Sequence, residues 1–318
     1  MKRRCCDNGK RAKYCKQASK QASKQASKQA SKQASKQASK SVAYFKQAPL
    51  PFIGQKRMFL KHFSQILNDN ISGDGEGWTI VDVFGGSGLL SHTAKQLKPQ
   101  ARVIYNDFDH YAERLRYIPD INQLRQQLAV ALADCPKGKR LDKTKKLQLI
   151  GIIEAFKGYK DLHVLCSWLL FSGEQVKNIE DLYKHNFWHC LRQSNYPSAD
   201  GYLEGVEIVC ESFHQLVPRF SGKEKVLLVL DPPYLFTRQE SYRQEKYFDL
   251  IDFLRLINIT KPPYIFFSSK ESEFIRFIEY MQEDKVDNWQ AFDGVERIVV
   301  SVSVSCDKKY EDNMVYKF

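Results

Sequence analysis

Five aliphatic residues in a row, Val226-Leu227-Leu228-Val229-Leu230, run straight into Asp231-Pro232-Pro233-Tyr234. An apolar run without alternation reads as a strand buried on both faces, as in the middle of a parallel sheet. Proline has no amide hydrogen to give to a ladder, so the strand ends where the prolines begin. This points to an α/β fold with helices on both faces of a sheet. In open sheets of that kind, ligands bind beyond the carboxyl ends of the strands, where Asp231 to Tyr234 would stand.

The same four residues have a chemical reading. An exocyclic amine on a base is a poor nucleophile, because its lone pair is delocalised into the ring. Two acceptors for its N–H bonds favour a more tetrahedral nitrogen. Asp231 offers a carboxylate, and Pro232 offers a carbonyl whose direction is fixed by ring-locked φ angles. Tyr234 offers a flat face for a base. The plainer alternative is a strand ending in a stiff turn beside an ordinary aromatic.

Two further strand ends follow the same logic. Trp78 to Phe84 leads into Gly85-Gly86-Ser87-Gly88 and then a helix-like stretch, Leu89 to Leu97. Glycines there let a backbone approach a ligand closely, although the pattern is neither G-x-G-x-x-G nor a P-loop. Ala101 to Tyr105 leads into Asn106-Asp107-Phe108-Asp109, with Asp107 placed 19 residues after Gly88. An acid at about that distance accepts bonds from ribose hydroxyls in nucleoside-binding units. An acid after a strand also commonly caps a helix, and Asp107 and Asp109 can divide these jobs.

In this order the motifs resemble the Dam-like, class alpha (D-P-P-Y) DNA adenine-N6 methyltransferases. Pro51 to Arg57 is similar to that family's amino-terminal cofactor motif, Asp82 to Gly88 to its glycine motif, and Asn106-Asp107 to its ribose-binding segment. Cys210 to Phe213 is similar to the stretch flanking the cofactor adenine, and Asp231 to Tyr234 to the catalytic motif. The resemblance runs from about residue 48 to the end. It implies a Rossmann-like sheet with an antiparallel carboxyl-terminal hairpin and an inserted, mainly helical lobe. It also implies S-adenosylmethionine held by Phe52, Gly54, Lys56, Asp82, Phe84, Gly85, Gly86, Gly88, Asp107, Ser212, Phe213 and Asp231. The target adenine, flipped from double-stranded DNA, would be held by Asp231, Pro232, Pro233 and Tyr234. A cognate restriction endonuclease is a conceivable partner. Two departures stand out: Gln55 replaces a glycine, and Ser212 stands where many relatives carry an acid. Cytosine N4, adenine in RNA, or nucleic-acid binding without catalysis remain alternatives.

The 318 residues carry 49 Lys and Arg against 37 Asp and Glu, a formal charge of +12. Residues 1–41 hold 13 of the bases and one acid, which leaves 36 of each in 42–318. The excess therefore belongs to the tail, and a DNA-binding field on the body needs local clustering. Lys137 to Lys146 is the best candidate, with a solvated loop as the alternative. The 8 cysteines show no metal spacing. No signal peptide or membrane-length apolar stretch is visible, which suggests a cytoplasmic protein without metal.

Lys16 to Ser39 repeats Lys-Gln-Ala-Ser without a single change. A four-residue period fits neither an amphipathic helix nor a solenoid. The codons AAG-CAA-GCA-AGC spell this tetrapeptide and are the tetranucleotide AAGC three times. Gain or loss of one unit would shift the reading frame, so an on/off expression switch is expected, alongside a plainer role as a basic linker.

The expected organisation is a tail over 1–41, a catalytic domain over 42–110 and 201–318, and a helical target-recognition lobe over 111–200. Helices are expected over 56–67 (with Met58, Phe59, Ile66 and Leu67 inward), 121–133, 147–159, 248–257 and 273–281. The aromatic stretch Tyr183 to Tyr196 is expected to form lobe core or to contact bases. The segment 236–243 could close over a base. Strands are expected over 263–268 and 297–306, then a turn over 307–312 and a return strand over 313–318.

Overall fold

The computed structural model describes residues 44–234, 248–269, 274–305 and 308–318, with backbone alone over 301–310. The repeat tail and the segment 236–243 lie outside the described residues. The strands are β1 (Thr79–Asp82), β2 (Arg102–Asn106), β3 (Glu207–Val209), β4 (Val226–Leu230), β5 (Tyr264–Ser269), β6 (Glu296–Ser305) and β7 (Lys308–Lys317). They form a sheet in the order β3-β2-β1-β4-β5-β7-β6. The first five are parallel, and β7 runs antiparallel to both β5 and β6. This is the Rossmann-like sheet with an antiparallel carboxyl-terminal hairpin that the resemblance implies. The strand order reverses between β1 and β4, so their carboxyl ends flank a topological switch point.

Helices before the hairpin are α1 (Leu60–Asn70), α2 (Leu89–Leu97), α3 (Tyr111–Leu115), α4 (Ile118–Ala131), α5 (Lys143–Ala155), α6 (Leu162–Leu169), α7 (Ile179–Lys184), α8 (Phe213–Phe220), α9 (Leu250–Ile259), α10 (Phe274–Asp284) and α11 (Trp289–Phe292). Period-2 alternation sorts each strand between two cores. On β4, Leu227 and Val229 face the side covered by α1, α2 and the helices of 111–200. Val226, Leu228 and Leu230 face α8 to α11. Both sets are apolar because both faces are covered. Burying each such side chain contributes about 1.5–3 kcal/mol. The lobe shares its core with the sheet: Tyr111, Trp168, Phe187 and Tyr196 belong to the same cluster as Ile80 and Val103. Residues 44–318 accordingly form one compact unit.

Two local expectations fail. Residues 57–59 form a 3-10 turn before α1, and its tighter winding turns Met58 outward, 57% exposed, while Phe59 is buried. The expected turn over 307–312 is strand from Lys308, because the ladder with β6 continues through Val300↔Asp312.

Candidate active site

Three loops meet at the switch point. The first follows β1. Val83 donates to the Val229 carbonyl at 2.9 Å, extending β1 alongside β4, and Gly88 donates to the Gly85 carbonyl at 2.7 Å to close the turn. Gly86 (φ +48) and Gly88 (φ +71) occupy the left-handed region, where a side chain is strained. A Cβ at Gly85 would come 2.2 Å from the Tyr105 ring, and one at Gly86 would come 2.8 Å from the Phe52 ring. The glycines thus make room for two aromatic rings.

The second loop, 48–56, is pinned from several sides. Gln55 accepts from the Ala48 amide and donates to the Leu50 carbonyl. Its backbone needs no left-handed conformation, so glutamine fits where the resembled motif has glycine. The Tyr111 hydroxyl accepts from the Leu50 amide at 2.9 Å and donates to its carbonyl at 2.8 Å. Arg114 donates to the Pro51 carbonyl and pairs with Asp161 at 2.7 Å, both side chains buried. At the loop's end, Lys56 donates to the Gly54 carbonyl and lies 2.7 Å from Asp231. Its ammonium also sits 5.4 Å from the centre of the Tyr234 ring.

The third loop begins at Asp231, at the end of β4, where Pro232 and Pro233 are buried. Burial pushes the Asp231 carboxyl above the usual carboxylate range, and the Lys56 charge opposes it. Asp82, at the end of β1, is pushed up to about 7, chiefly by burial, against a hydrogen bond from Ser91. Its Oδ1 is buried with no partner among the described residues. Asp312 on β7 is also raised by burial, opposed by the Lys56 charge.

These loops enclose a cavity of about 260 Å³. Phe52, Gly54, Lys56, Phe84, Gly85, Gly86, Asp231, Pro232, Pro233 and Tyr234 line it, all expected from sequence, together with Asn106, Phe108 and Asp109. Asp82 and Gly88, also expected there, are outside the lining. Asp107 is placed differently from the expectation. Its two oxygens accept from the Tyr111 and Ala112 amides at 2.6 and 2.8 Å, so it caps α3, and Asp109 is the acid on the cavity wall. Ser212 and Phe213 are also outside the lining. Ser212 caps α8, and Phe213 packs on Phe84 at 5.6 Å, one layer back. Asn106, named from sequence only as Asp107's neighbour, bonds Val83 and both backbone groups of Glu211, tying the three segments together.

The donor set fits S-adenosylmethionine. Asp109 suits ribose hydroxyls, Phe52 and Phe108 suit a flat adenine, and Lys56 suits a carboxylate. Among the described residues no three His, Cys, Asp or Glu cluster as metal ligands, and no helix is long and apolar enough to cross a membrane.

No family model matches the chain. A Haemophilus influenzae protein described as a candidate methyltransferase is 67% identical over 275 residues, covering 86% of this chain and 93% of that protein. Among solved structures, the precorrin-6y C5,15-methyltransferase of Geobacter metallireducens aligns at a TM-score of 0.35 and 10% identity, over 87% of this chain and 98% of that one. A Clostridium thermocellum candidate rRNA methylase gives 0.32 and 9%, over 81% and 97%. A human methyltransferase 10 domain containing protein gives 0.34 and 9%, over 85% of each. Likenesses this low leave the acceptor to be argued from the site itself.

Proposed function

The chain belongs to the methyltransferase family of its Haemophilus influenzae relative and takes its methyl group from S-adenosylmethionine; from that premise we propose that it methylates the N6 amino group of adenine in a specific sequence of double-stranded DNA. The observation that carries this reading is Asp231-Pro232-Pro233-Tyr234 at the switch point, on the cavity that the glycine turn also lines. When bound, the cofactor supplies an electrophilic methyl group on a sulfonium. Asp231 and the Pro232 carbonyl accept the two N–H bonds of the amine and localise its lone pair. Tyr234 stacks on the flipped base. Lys56 holds the Asp231 carboxylate in its ionised, accepting form against the cost of burial. Much of the acceleration then comes from positioning.

A polyanionic substrate is supported by one face of the lobe. The backbone of 138–141 pairs with 187–189, through Gly138 to His189, His189 to Lys139 and Leu141 to Phe187. This presents the exposed Lys137, Lys139, Arg140 and Lys143 beside Phe171, which is 57% exposed and lies 4.7 Å from Trp188. Clustered cations next to an exposed aromatic suit phosphates and bases. A cognate restriction endonuclease is the partner that such a modification would guard against.

The test is transfer of a labelled methyl group to duplex DNA, with nucleosides resolved by mass spectrometry. N6-methyladenine is expected from the wild type and none from Asp231→Ala. Label in N4-methylcytosine, or in RNA alone, would overturn the acceptor.

A further inference from the structure

A second cavity, about 520 Å³, shares Phe52, Ile53, Gly54 and Gln55 with the first and lies between the 47–57 loop and the lobe. Its polar lining includes Arg57, His163, Gln175 and Arg192, and among the described residues no carboxylate. We propose that this cavity reads a base next to the target adenine, with the Arg192 guanidinium as the reading group for an edge that presents two acceptors, as guanine does. The inference rests on the nucleic-acid reading above and deepens it.

Arg192 is prepared for such a contact. Its guanidinium carbon lies 3.9 Å from the centre of the Tyr196 ring, and one terminal nitrogen donates to Ser194. Its Nε is buried and has no partner among the described residues. Tyr196 is itself fixed: it packs parallel to Trp168, and its backbone exchanges two hydrogen bonds with the Asn122 side chain. The guanidinium is therefore a flat fork on a rigid platform, the shape that matches paired acceptors on a base edge. His163 and Gln175 bond each other at 3.0 Å, which orients the Gln175 amide within the same cavity. A groove enclosed by two elements and abutting the catalytic cavity suits an inserted base edge better than a phosphate, which a flat basic surface serves equally well.

The experiment uses the full chain on unmodified genomic DNA, with methylated sites mapped by sequencing, kcat/KM measured on a duplex carrying the wild-type site, and cofactor affinity measured by calorimetry. Arg192→Ala should lower kcat/KM about tenfold or more, relax the sequence at one position beside the methylated adenine, and leave cofactor affinity unchanged. Arg192→Lys keeps the charge and loses the fork, so it should relax the same position. Gln175→Ala, a milder change, should shift the context if the Arg192 variants fail to fold. Unchanged context in all three folded variants overturns the proposal. So does a uniform loss across sequences with a shallower salt dependence, which marks a phosphate contact. A wild type that methylates no nucleic acid would overturn both this inference and the function it rests on, whereas wild-type methylation with unaltered context in the variants overturns this inference alone.

Discussion

At the scale of single residues, the proposed function assigns some groups of the site to the acceptor and others to the cofactor. On that reading Asp231→Ala removes an acceptor for the amine and should abolish detectable methyl transfer. Cofactor affinity, measured by calorimetry, should change far less; full activity in this variant would reduce Asp231 to a strand-end residue. Tyr234→Phe keeps the ring and should retain most activity, while Tyr234→Ala should not. The two acids after β2 should part company. Asp109→Ala should weaken cofactor binding without lowering the melting temperature. Asp107→Ala should instead cost about 0.5–2 kcal/mol of stability through the lost cap on α3, seen in denaturant melts.

At the scale of elements, the ends of β1 and β4 place Asp82 and Asp231 on neighbouring strands at the same edge of the sheet. A carboxyl whose folded-state pKa lies above its unfolded value holds more protons when folded, so its contribution to stability falls as pH rises. For Asp82 that fall should run from about pH 4 to about pH 7 and amount to at most about 4 kcal/mol. Asp82→Asn should flatten this part of a stability-against-pH curve; an unchanged slope would assign it to other groups. Much of this frame was legible in the sequence. The unbroken aliphatic run of β4, the glycine turn and the D-P-P-Y end named the core strand, the ligand-binding ends of the strands and most of the cavity wall. The bounds of helices drifted by a few residues, as with α5, which starts at Lys143 rather than 147 because Asp142 caps it. The roles of Asp107 and Asp109 were not separable, since both follow a strand and only the direction of α3 decides which carboxylate meets its amides. The second cavity was invisible too, because its walls lie over a hundred residues apart in the chain. Of the stretch 183–196, Tyr196 and Phe187 went to the core, while Arg192 faces that cavity.

At the scale of the whole molecule, removing the tail ahead of Tyr44 takes away 12 units of formal positive charge and no group of the site. The truncated chain should fold and methylate. Its non-specific DNA affinity should fall at low salt, and the difference should shrink as salt rises and counterion release weakens. At the gene, an AAGC array of variable length among clonal descendants is expected; mixed synonymous codons of constant length would leave a basic linker only. The pinning of the 48–56 loop by α3 bears on how such proteins can be recombined. A lobe exchanged at its motif boundaries, 111 and 200, would carry off Tyr111 and Arg114, the anchors of the Leu50 and Pro51 backbone. Junctions after Leu115 and before Tyr202, whose hydroxyl donates to the Ser87 carbonyl, leave the scaffold whole. The incoming piece then needs an apolar face to complete the shared core and an acid opposite Arg114 where Asp161 now stands. A graft that meets this rule should keep its cofactor, and on the proposed function it should acquire a new recognition sequence; one cut at 111 should lose the cofactor first.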